Sequence, residues 1–403
     1  MAAKVAVLGY GTVGSGVVKI LWENNSHVSR RAGEAVEVKY VLDLRDFPGD
    51  PVEKVLVHDY DTIVNDPEIC VIAEAMGGLE PAYTFAKKAL ERGISFCTSN
   101  KVLVEAKGAE LISLAKEHDA NFFFEASVGG GIPVIRPMIQ SLTADHFDEI
   151  SGILNGTTNY MLTKMDKEGL DFDYVLKDAQ EKGYAERNPE ADIEGHDAGR
   201  KIAILASLAY EKQVDFEDIP MEGITKIESA DFTYAKAAGC VIRLLGTARR
   251  KDGKIYTLVA PFLVPSDDPL YAVEGVYNAI KLHGDMLGNV MFYGQGAGKE
   301  ATASAVVADI IQEIRERGHH VEILWSSEKR TLGDAGKYPF RYLVRLSGIA
   351  GPDALQAFGD IETVTAEGIS GETAFLTAEM TEAELAAAIA ESGHECIKKF
   401  RVS

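Results

Sequence analysis

The sequence predicts an α/β protein with a parallel, doubly wound sheet first, then an α+β region and a small C-terminal unit. Three observations support this prediction. Short apolar runs alternate with helical stretches over residues 4–125. After the glycines at 129–131 this alternation gives way to longer helices and strands. From residue 339 onwards, the pattern is strand, helix, strand, strand, helix, strand. Each change of pattern predicts a change of architecture.

The first region contains five apolar runs of strand length: Val5–Leu8, Val36–Leu42, Val71–Ala75, Ser95–Thr98 and Phe122–Glu125. Helical periodicity of 3.6 residues is present between them at Pro81–Arg92 and Lys101–Lys116. Strands that alternate with helices of this length predict parallel pairing, with helices on both faces of the sheet.

The expected domains are 1–129, with a returning helical segment near 299–320, then 130–298, and finally 339–403. A polar, weakly patterned stretch near 325–338 reads as a linker. The C-terminal order is that of a ferredoxin-like unit. Its expected pieces are Arg341–Leu346, Asp353–Ala357, Ile361–Val364, Thr373–Leu376, Glu382–Glu391 and Ile397–Val402.

The composition favours a small-molecule partner. The chain has 41 Lys and Arg against 62 Asp and Glu, a formal net charge of −21, which opposes tight binding to nucleic acid or to an anionic membrane. The sequence contains no apolar run long enough to span a bilayer, so we expect a cytoplasmic protein. Disulfides and cysteine metal sites are not expected, because the four cysteines are scattered: Cys70, Cys97, Cys240 and Cys396.

A glycine fingerprint, Gly9-x-Gly11-x-x-Gly14, follows the first strand and opens a helix. In this context the first glycine makes the tight turn, the second lets the backbone approach a diphosphate, and the third packs helix against strand. The helix N-terminus, at Thr12 and Val13, would bind the diphosphate. The sequence therefore predicts a Rossmann-type dinucleotide-binding domain.

The second strand ends in Asp43-Leu44-Arg45, where the adenosine ribose is expected. An acid there would accept a hydrogen bond from the 2′-OH of NAD, whereas an arginine could pair with the 2′-phosphate of NADP. Both charges are present, so the cofactor preference stays open. The alternative is that both are solvated loop charges.

Ser99-Asn100-Lys101 lies at the carboxyl end of a predicted strand, which is where open α/β sheets bind ligands. The alternative is a helix N-cap at Asn100 followed by an ordinary surface lysine.

Lys201 lies at the start of an apolar helical stretch, and Asp197 precedes it by one helical turn. Between Ile202 and Tyr210 the only strongly polar residue is Ser207, which predicts a buried helix. Burial disfavours a charged ammonium and a neighbouring carboxylate favours it, and sites balanced in this way suit proton transfer. The alternative is a purely structural ion pair.

Together, the motifs resemble those of homoserine dehydrogenases, in the same order over residues 4–320. The resemblance rests on these segments besides the glycine fingerprint: Met76–Gly78, Thr98–Lys101, Glu125–Pro133, Asn155–Asn159, Gly183–Glu186, Asp192–Lys201 and Gly294–Gly298. It implies NAD(P)-dependent interconversion of L-homoserine and L-aspartate 4-semialdehyde, a step towards threonine, methionine and isoleucine. The form resembled is the monofunctional one.

The resemblance also implies residue roles. Lys201 would transfer the proton, Lys101 would contact cofactor and substrate, and Asp192 and Asp197 would complete the catalytic group. The substrate positions implied are Gly156, Thr157, Gly183, Tyr184, Glu186 and Asp192. The cofactor positions implied are Gly9, Gly11, Thr12, Val13, Gly14, Asp43, Arg45, Ser99, Lys101 and Gly298.

A sodium ion is implied as well, bound by Glu125 and by the backbone at Val128, Gly130 and Ile132. The family further implies a homodimer or homotetramer. The tail resembles an ACT-type module, and whether it binds threonine or serves only in assembly stays open.

Two other functions compete with this interpretation. A phosphorylating aldehyde dehydrogenase would need a nucleophilic cysteine, but Cys97 lies in a predicted strand and Cys240 in an apolar, helix-like run without a histidine partner. A non-catalytic amino-acid sensor would leave Asp192, Asp197 and Lys201 unexplained.

Overall fold

The computed structural model describes residues 2–403, which divide into two compact units. The first unit contains residues 2–146, 203–216 and 292–330, and the second contains 147–202, 217–291 and 331–403. This division differs from the three expected domains in one respect above all: the C-terminal segment belongs to the same unit as the middle of the chain.

The first unit is built on a parallel sheet. Its strands follow the order β3-β2-β1-β4-β5-β6, and each neighbouring pair is parallel. This is the doubly wound order of dinucleotide-binding sheets, so the predicted architecture is confirmed. The strands are β1 Ala3–Leu8, β2 Val36–Leu42, β3 Leu56–Val57, β4 Ile69–Glu74, β5 Ser95–Thr98 and β6 Phe122–Phe123. The helices are α1 Thr12–Glu23, α2 Asn25–Ala32, α3 Tyr60–Val64, α4 Ala82–Leu90, α5 Lys101–Glu117 and α6 Ile135–Gln140.

The remainder of the chain contains both helices and strands. The strands are β7 Phe147–Ile153, β8 Lys212–Gln213, β9 Cys240–Lys251, β10 Lys254–Pro265, β11 Tyr277–Gly284, β12 Gly288–Gln295, β13 Ser326–Lys329, β14 Tyr342–Ser347, β15 Ile361–Val364, β16 Glu372–Thr377 and β17 Cys396–Val402. The helices are α7 Gly156–Glu168, α8 Phe172–Glu181, α9 Glu190–Ile193, α10 His196–Ala209, α11 Ser229–Ala237, α12 Lys299–Arg315, α13 Pro352–Leu355 and α14 Glu382–Ser392. In the described residues, no helix has the length and apolar character needed to cross a membrane.

Helix α12 belongs to the first unit, where it packs on α1. Gly16 of α1 makes this close approach possible, because a Cβ there would lie 2.9 Å from the Cβ of Ala303. The segment after α12 was expected to be a polar linker, but it is packed. Trp325 is 4% exposed, and its ring covers Gly108 of α5. Burial of this one large side chain outweighs the polar character of its neighbours.

The second unit has a mixed sheet in the order β12-β11-β7-β9-β10-β17-β14-β16-β15. Its last four strands, β17-β14-β16-β15, have the 4-1-3-2 order and the antiparallel pairings expected of a ferredoxin-like β-α-β-β-α-β unit. They are not separate from the rest, because β17 pairs in parallel with β10 at Phe262 and Leu263.

One apolar core serves both parts of this sheet. It combines Leu245, Leu258 and Phe262 with Tyr342 and Phe375 of the C-terminal segment, all of them buried. The expectation of an independent tail therefore does not fit the structure: the segment completes the sheet and the core of the second unit.

Two local expectations are corrected. Cys240 begins strand β9 rather than lying in a helix, because residues 240–248, most of them apolar, are buried on both faces of the sheet. The strand expected at Phe122–Glu125 ends at Phe123, and Glu125 starts a 3₁₀ turn.

Candidate active site

The glycine fingerprint forms the turn between β1 and α1. Gly9 has φ +91°, and a Cβ on Gly14 would overlap the Gly9 carbonyl. A Cβ on Gly11 would meet no atom within 4 Å. The first and third glycines are thus required by the turn and by helix packing, whereas the second faces open space.

The N-terminus of α1 is open to a ligand. Its N-cap, Gly11, provides no side-chain cap, and Thr12 is exposed. The first-turn N–H groups of an α-helix, here from Thr12 and Val13, have no intrahelical acceptor. Gly11 and Thr12 line an open cleft of about 730 Å³, whose lining also includes Ser15, Phe47 and Lys299. Such a cleft fits the diphosphate of a dinucleotide.

Gly298 stands at the N-cap of α12, next to this cleft. Its φ is +117°, and a Cβ there would meet no atom within 4 Å. The backbone at Gly298 therefore leaves space beside Lys299.

Asp43 and Arg45 lie together at the end of β2. The guanidinium donates to both carboxylate oxygens of Asp43 at 2.9 and 3.0 Å, and the Tyr10 N–H donates to the same carboxylate at 2.8 Å. The Arg45 hydrogen bonds hold the pKa of Asp43 well below its usual range. Because the Arg45 side chain is 63% exposed, it is able to leave Asp43 for another anion.

The Ser99-Asn100-Lys101 turn is fixed by the buried carboxylate of Glu74. Thr98 donates to Glu74 at 2.5 Å, and Glu74 accepts the Met76 N–H at 2.6 Å. The Asn100 side chain caps α5 by accepting the Leu103 N–H at 3.2 Å. Lys101 is the first residue of α5, an end of the helix where the macrodipole disfavours cations. The N-cap expected as the alternative is present, and it sets the position of the lysine.

Glu125 lies in the turn to which the sodium site was assigned. Its carboxylate is buried and accepts three N–H groups, from Val134 and Ile135 on one oxygen and Arg136 on the other, at 2.7 to 2.8 Å. The same turn packs closely on residues 294–298: a Cβ on Gly130 would lie 2.6 Å from the carbonyl carbon of Gly296. Carboxylate and carbonyl oxygens are the donors that hard cations take, so the predicted donor set is chemically suitable.

In the second unit, Asn155 connects two aspartates. Its amide nitrogen donates to Asp192 at 2.7 Å and to Asp197 at 2.9 Å. Its amide oxygen accepts the Thr158 N–H at 2.8 Å and so caps α7. The cap and the two carboxylates together fix the orientation of the amide, since only the nitrogen can donate.

Lys201 extends this network. It is 8% exposed and donates to Asp197 and to the Leu154 carbonyl, both at 2.7 Å. Asp197 and Lys201 are one turn apart on α10, as predicted. An ammonium has three N–H groups, so one remains for a further acceptor.

Gly183–Glu186 forms a loop beside the start of α7. Gly183 has φ +74°, and Thr157 donates to the Tyr184 carbonyl at 2.6 Å. Gly156 is the first residue of α7, where a Cβ would lie 2.7 Å from the Val276 carbonyl oxygen. The Glu186 side chain is exposed and stands outside the Asn155 network.

Two features of the site were not predicted from the sequence. One is Asn155, and the other is a cluster of Tyr160, Asp178 and Lys182 next to the loop that contains Tyr184. Tyr160 packs edge-on against Tyr184 at 4.9 Å and hydrogen-bonds Asp178, and Lys182 donates to the Tyr160 hydroxyl at 2.7 Å. The available signal for Asn155 was its place before Gly156 at a strand-to-helix turn, where an N-cap is expected.

Comparisons with known proteins give a consistent family. The family model described as "Homoserine dehydrogenase, NAD binding domain" matches residues 9–125, and the one described as "Homoserine dehydrogenase" matches residues 133–311. The homoserine dehydrogenase of Synechocystis is 46% identical over 77% of this chain and 73% of its own length. That of Bacillus subtilis is 41% identical over 77% and 72%.

Solved structures agree. The crystal structure of a homoserine dehydrogenase from Thiobacillus denitrificans has a TM-score of 0.90 at 33% identity, covering 100% of this chain and 98% of that one. A hyperthermophilic archaeal homoserine dehydrogenase in complex with NADPH has a TM-score of 0.65 at 30% identity, covering 78% and 98%. By sequence and by fold, the chain belongs to the homoserine dehydrogenase family of NAD(P)-dependent oxidoreductases.

Proposed function

We propose that this chain interconverts L-homoserine and L-aspartate 4-semialdehyde, with Lys201 as the main proton-transfer residue. The observation that carries the proposal is the continuous network Asp192, Asn155, Asp197, Lys201. A lysine buried only to form an ion pair would need Asp197 alone. Here Asp197 also accepts a hydrogen bond from Asn155, and Lys201 also donates to the Leu154 carbonyl. The ammonium is therefore held in one place and has one N–H group left for another acceptor.

Bound reduced nicotinamide would supply the hydride that reduces the aldehyde carbon. The aldehyde oxygen then needs a proton. The remaining N–H of Lys201 would stabilise the developing negative charge and donate that proton. In the reverse direction, the same nitrogen would take the hydroxyl proton of homoserine. Asp197 keeps the lysine oriented in both directions.

The substrate also carries an ammonium and a carboxylate. Asp192 suits the ammonium because it is an acid of the Asn155 network, held by a hydrogen bond from the Asn155 amide at 2.7 Å. Glu186, on the exposed loop, is the second acid proposed for the amino group. The first-turn N–H groups of α7, from Gly156 and Thr157, suit the carboxylate.

Lys101 is proposed as the second lysine, contacting cofactor and substrate. Its support is its place at the carboxyl end of β5, where open α/β sheets bind ligands, and at a helix end that does not favour a structural cation. Ser99, in the same turn, is proposed to contact the cofactor.

A structural sodium ion is proposed at Glu125 with the carbonyls of Val128, Gly130 and Ile132. Its support is that the carboxylate is buried and that burial raises its pKa, a penalty that a cation would offset. Sodium would hold the 128–132 turn and take no part in proton transfer.

We further propose that the protein is a cytoplasmic homodimer or homotetramer. Met286 and Leu287, at the turn between β11 and β12, are 84% and 47% exposed. Adjacent exposed apolar side chains are typical of interfaces. The C-terminal ferredoxin-like unit is proposed to be ACT-like, on its strand order alone.

The test of the catalytic proposal is NADPH oxidation with L-aspartate 4-semialdehyde. We expect turnover by the wild type and a loss of about 10²- to 10⁴-fold in kcat for Lys201→Ala, the usual effect of general acid catalysis. Lys177→Ala, at a lysine that is 76% exposed, is the matched control and should not change kcat.

Lys201→Arg separates proton transfer from charge, because an arginine keeps the charge but does not readily donate its proton. Near-wild-type kcat in that variant would rule out proton transfer by Lys201. Cofactor binding with no turnover by the wild type would instead favour the amino-acid sensor.

A further inference from the structure

One edge of β10 is shared by three separate chain segments. Residues 332–333 pair beside Ile255, residues 220–222 pair beside Val259, and β17 pairs beside Phe262. The Glu222 N–H donates to the Val259 carbonyl at 2.7 Å. The C-terminal strand and the 220–222 segment are therefore consecutive neighbours along the same strand.

The 220–224 segment in turn supports residues 192–197, here called the aspartate segment. The Ile224 N–H donates to the Ile193 carbonyl at 2.9 Å. Gly223 touches the aspartate segment so closely that a Cβ there would lie 2.8 Å from the Cα of Glu194 and would overlap the Ile193 carbonyl. Gly195 rests on β10 itself, since its Cβ would lie 3.0 Å from Val259.

Arg401 of β17 holds the 220–224 segment. Its guanidinium donates to Glu222 at 2.8 Å, and the same nitrogen pairs with Glu382 at the start of α14. The Arg401 side chain is 9% exposed, whereas Glu222 is 53% exposed. This buried guanidinium pairs with two carboxylates at once. Its removal would leave both of them without their common partner.

We propose that Arg401 is a positioning residue for the active site. Its ion pair with Glu222 holds the backbone at 223 against the aspartate segment, and that segment carries both carboxylates of the Asn155 network. The C-terminal unit thereby sets the position of groups that the reaction uses, although it provides none of them. This inference rests on the proposed function of Asp192 and Asp197.

The contacts also predict which substitutions preserve the effect. A lysine at 401 keeps the charge but lacks the fixed plane of the guanidinium, so it can pair with Glu222 and Glu382 only in a different geometry. Glu222→Gln keeps the shape of the acceptor and removes only its charge. Both should therefore be milder than Arg401→Gln, which removes the cation.

The experiment measures kcat, both KM values and the Tm of full-length Arg401→Gln, Arg401→Lys, Glu222→Gln and the double variant Arg401→Gln/Glu222→Gln. The control is Arg341→Gln. Arg341 precedes β14 and pairs with Glu362 at 3.5 Å, within the C-terminal segment. We expect Arg401→Gln to lower kcat about tenfold, a barrier increase of about 1.4 kcal/mol. The KM for NADPH should stay unchanged, and Arg401→Lys should recover part of the loss.

The double variant should lose no more kcat than Arg401→Gln alone, because both changes break one contact. Wild-type kcat in folded Arg401→Gln would overturn the proposal. So would additive losses in the double variant, or an equal loss in Arg341→Gln. These results leave the proposed function intact, since that depends on turnover by the wild type and on the Lys201 variants.

Discussion

Asn155→Asp is the sharpest single test of the hydrogen-bonded network. The substitution exchanges the amide nitrogen, which lies 2.7 and 2.9 Å from two carboxylate oxygens, for a third carboxylate oxygen. The N-cap of α7 should survive, because aspartate caps a helix about as well as asparagine. Folding and catalysis are thus separated within one variant.

The expected loss of activity follows from the hydrogen bonds that the substitution breaks and the like charges that it brings together. Two hydrogen bonds to charged groups are lost, and each is typically worth about 1.5–3 kcal/mol. Two like charges at about 4 Å add roughly 4 kcal/mol at an effective dielectric constant of 20. The carboxylates cannot all stay ionised and in place, so we expect kcat/KM to fall by at least about 10²-fold at pH 8, where 1.4 kcal/mol is tenfold.

The activity of Asn155→Asp should change with pH in a direction that the charges predict. Like charges raise the pKa of one member of such a cluster. Below that pKa the added carboxyl is protonated, and its O–H can donate to one aspartate. We therefore expect Asn155→Asp to regain activity relative to wild type as the pH is lowered.

Asn155→Ala is the matched control, since it loses the donors without adding a titratable group. It should show a similar loss that does not recover at low pH, and it should cost about 1 kcal/mol of stability through the lost cap. Steady-state measurements of kcat/KM from pH 6 to 9 distinguish the two variants. A kcat/KM within threefold of wild type at pH 8, or a loss in Asn155→Asp that is independent of pH, would refute the reasoning.

Three further predictions follow from the two units. Arg45→Ala should raise the KM for NADPH about tenfold, because the partner of the 2′-phosphate is lost. The KM for NADH should stay unchanged or fall, because Asp43 is released from its ion pair. Equal effects on both cofactors would mean that Arg45 does not reach the 2′-phosphate. Glu313→Gln should stabilise the fold increasingly as the pH rises above about 4.5. The Glu313 side chain is buried, and burial raises its pKa well above 4.5, so the wild type loses stability as the pH rises from the pKa of an unfolded glutamate towards the raised pKa, by about 1.4 kcal/mol per unit of pKa difference; a Tm difference independent of pH would contradict this. Removal of residues 339–403 should abolish turnover and reduce the circular dichroism signal by more than the deleted residues account for, whereas a truncated enzyme with wild-type kcat would show that the shared core is dispensable.

Local patterns predicted much of the fold. The glycine fingerprint and the alternating apolar runs specify the parallel sheet, because each depends on residues within about 30 positions of one another. The pairing of Asp197 with Lys201 was predictable for the same reason, since one helical turn separates them.

Contacts between distant segments could not be predicted. Asn155 reaches Asp192 and Asp197 from 37 and 42 residues away, and its motif indicated only a helix start. The burial of Trp325 depends on Gly108, more than 200 residues earlier, so the polar neighbours of the tryptophan suggested a linker. Similarly, the alternation within β17 indicates a strand but not its partner, and the partner makes the C-terminal segment part of the second unit.

The pairing of β17 with β10 has a consequence for biosynthesis. During translation, Phe262 and Leu263 of β10 leave the ribosome about 140 residues before their partners in β17, and the apolar face of β10 is made about 80 and 110 residues before Tyr342 and Phe375. An uncovered strand edge beside an exposed apolar face is prone to pair with other chains. The nascent second unit is therefore most vulnerable to aggregation in the interval before residue 401 emerges, and ribosome pausing or premature termination there would be more harmful than at the boundary of an independent domain.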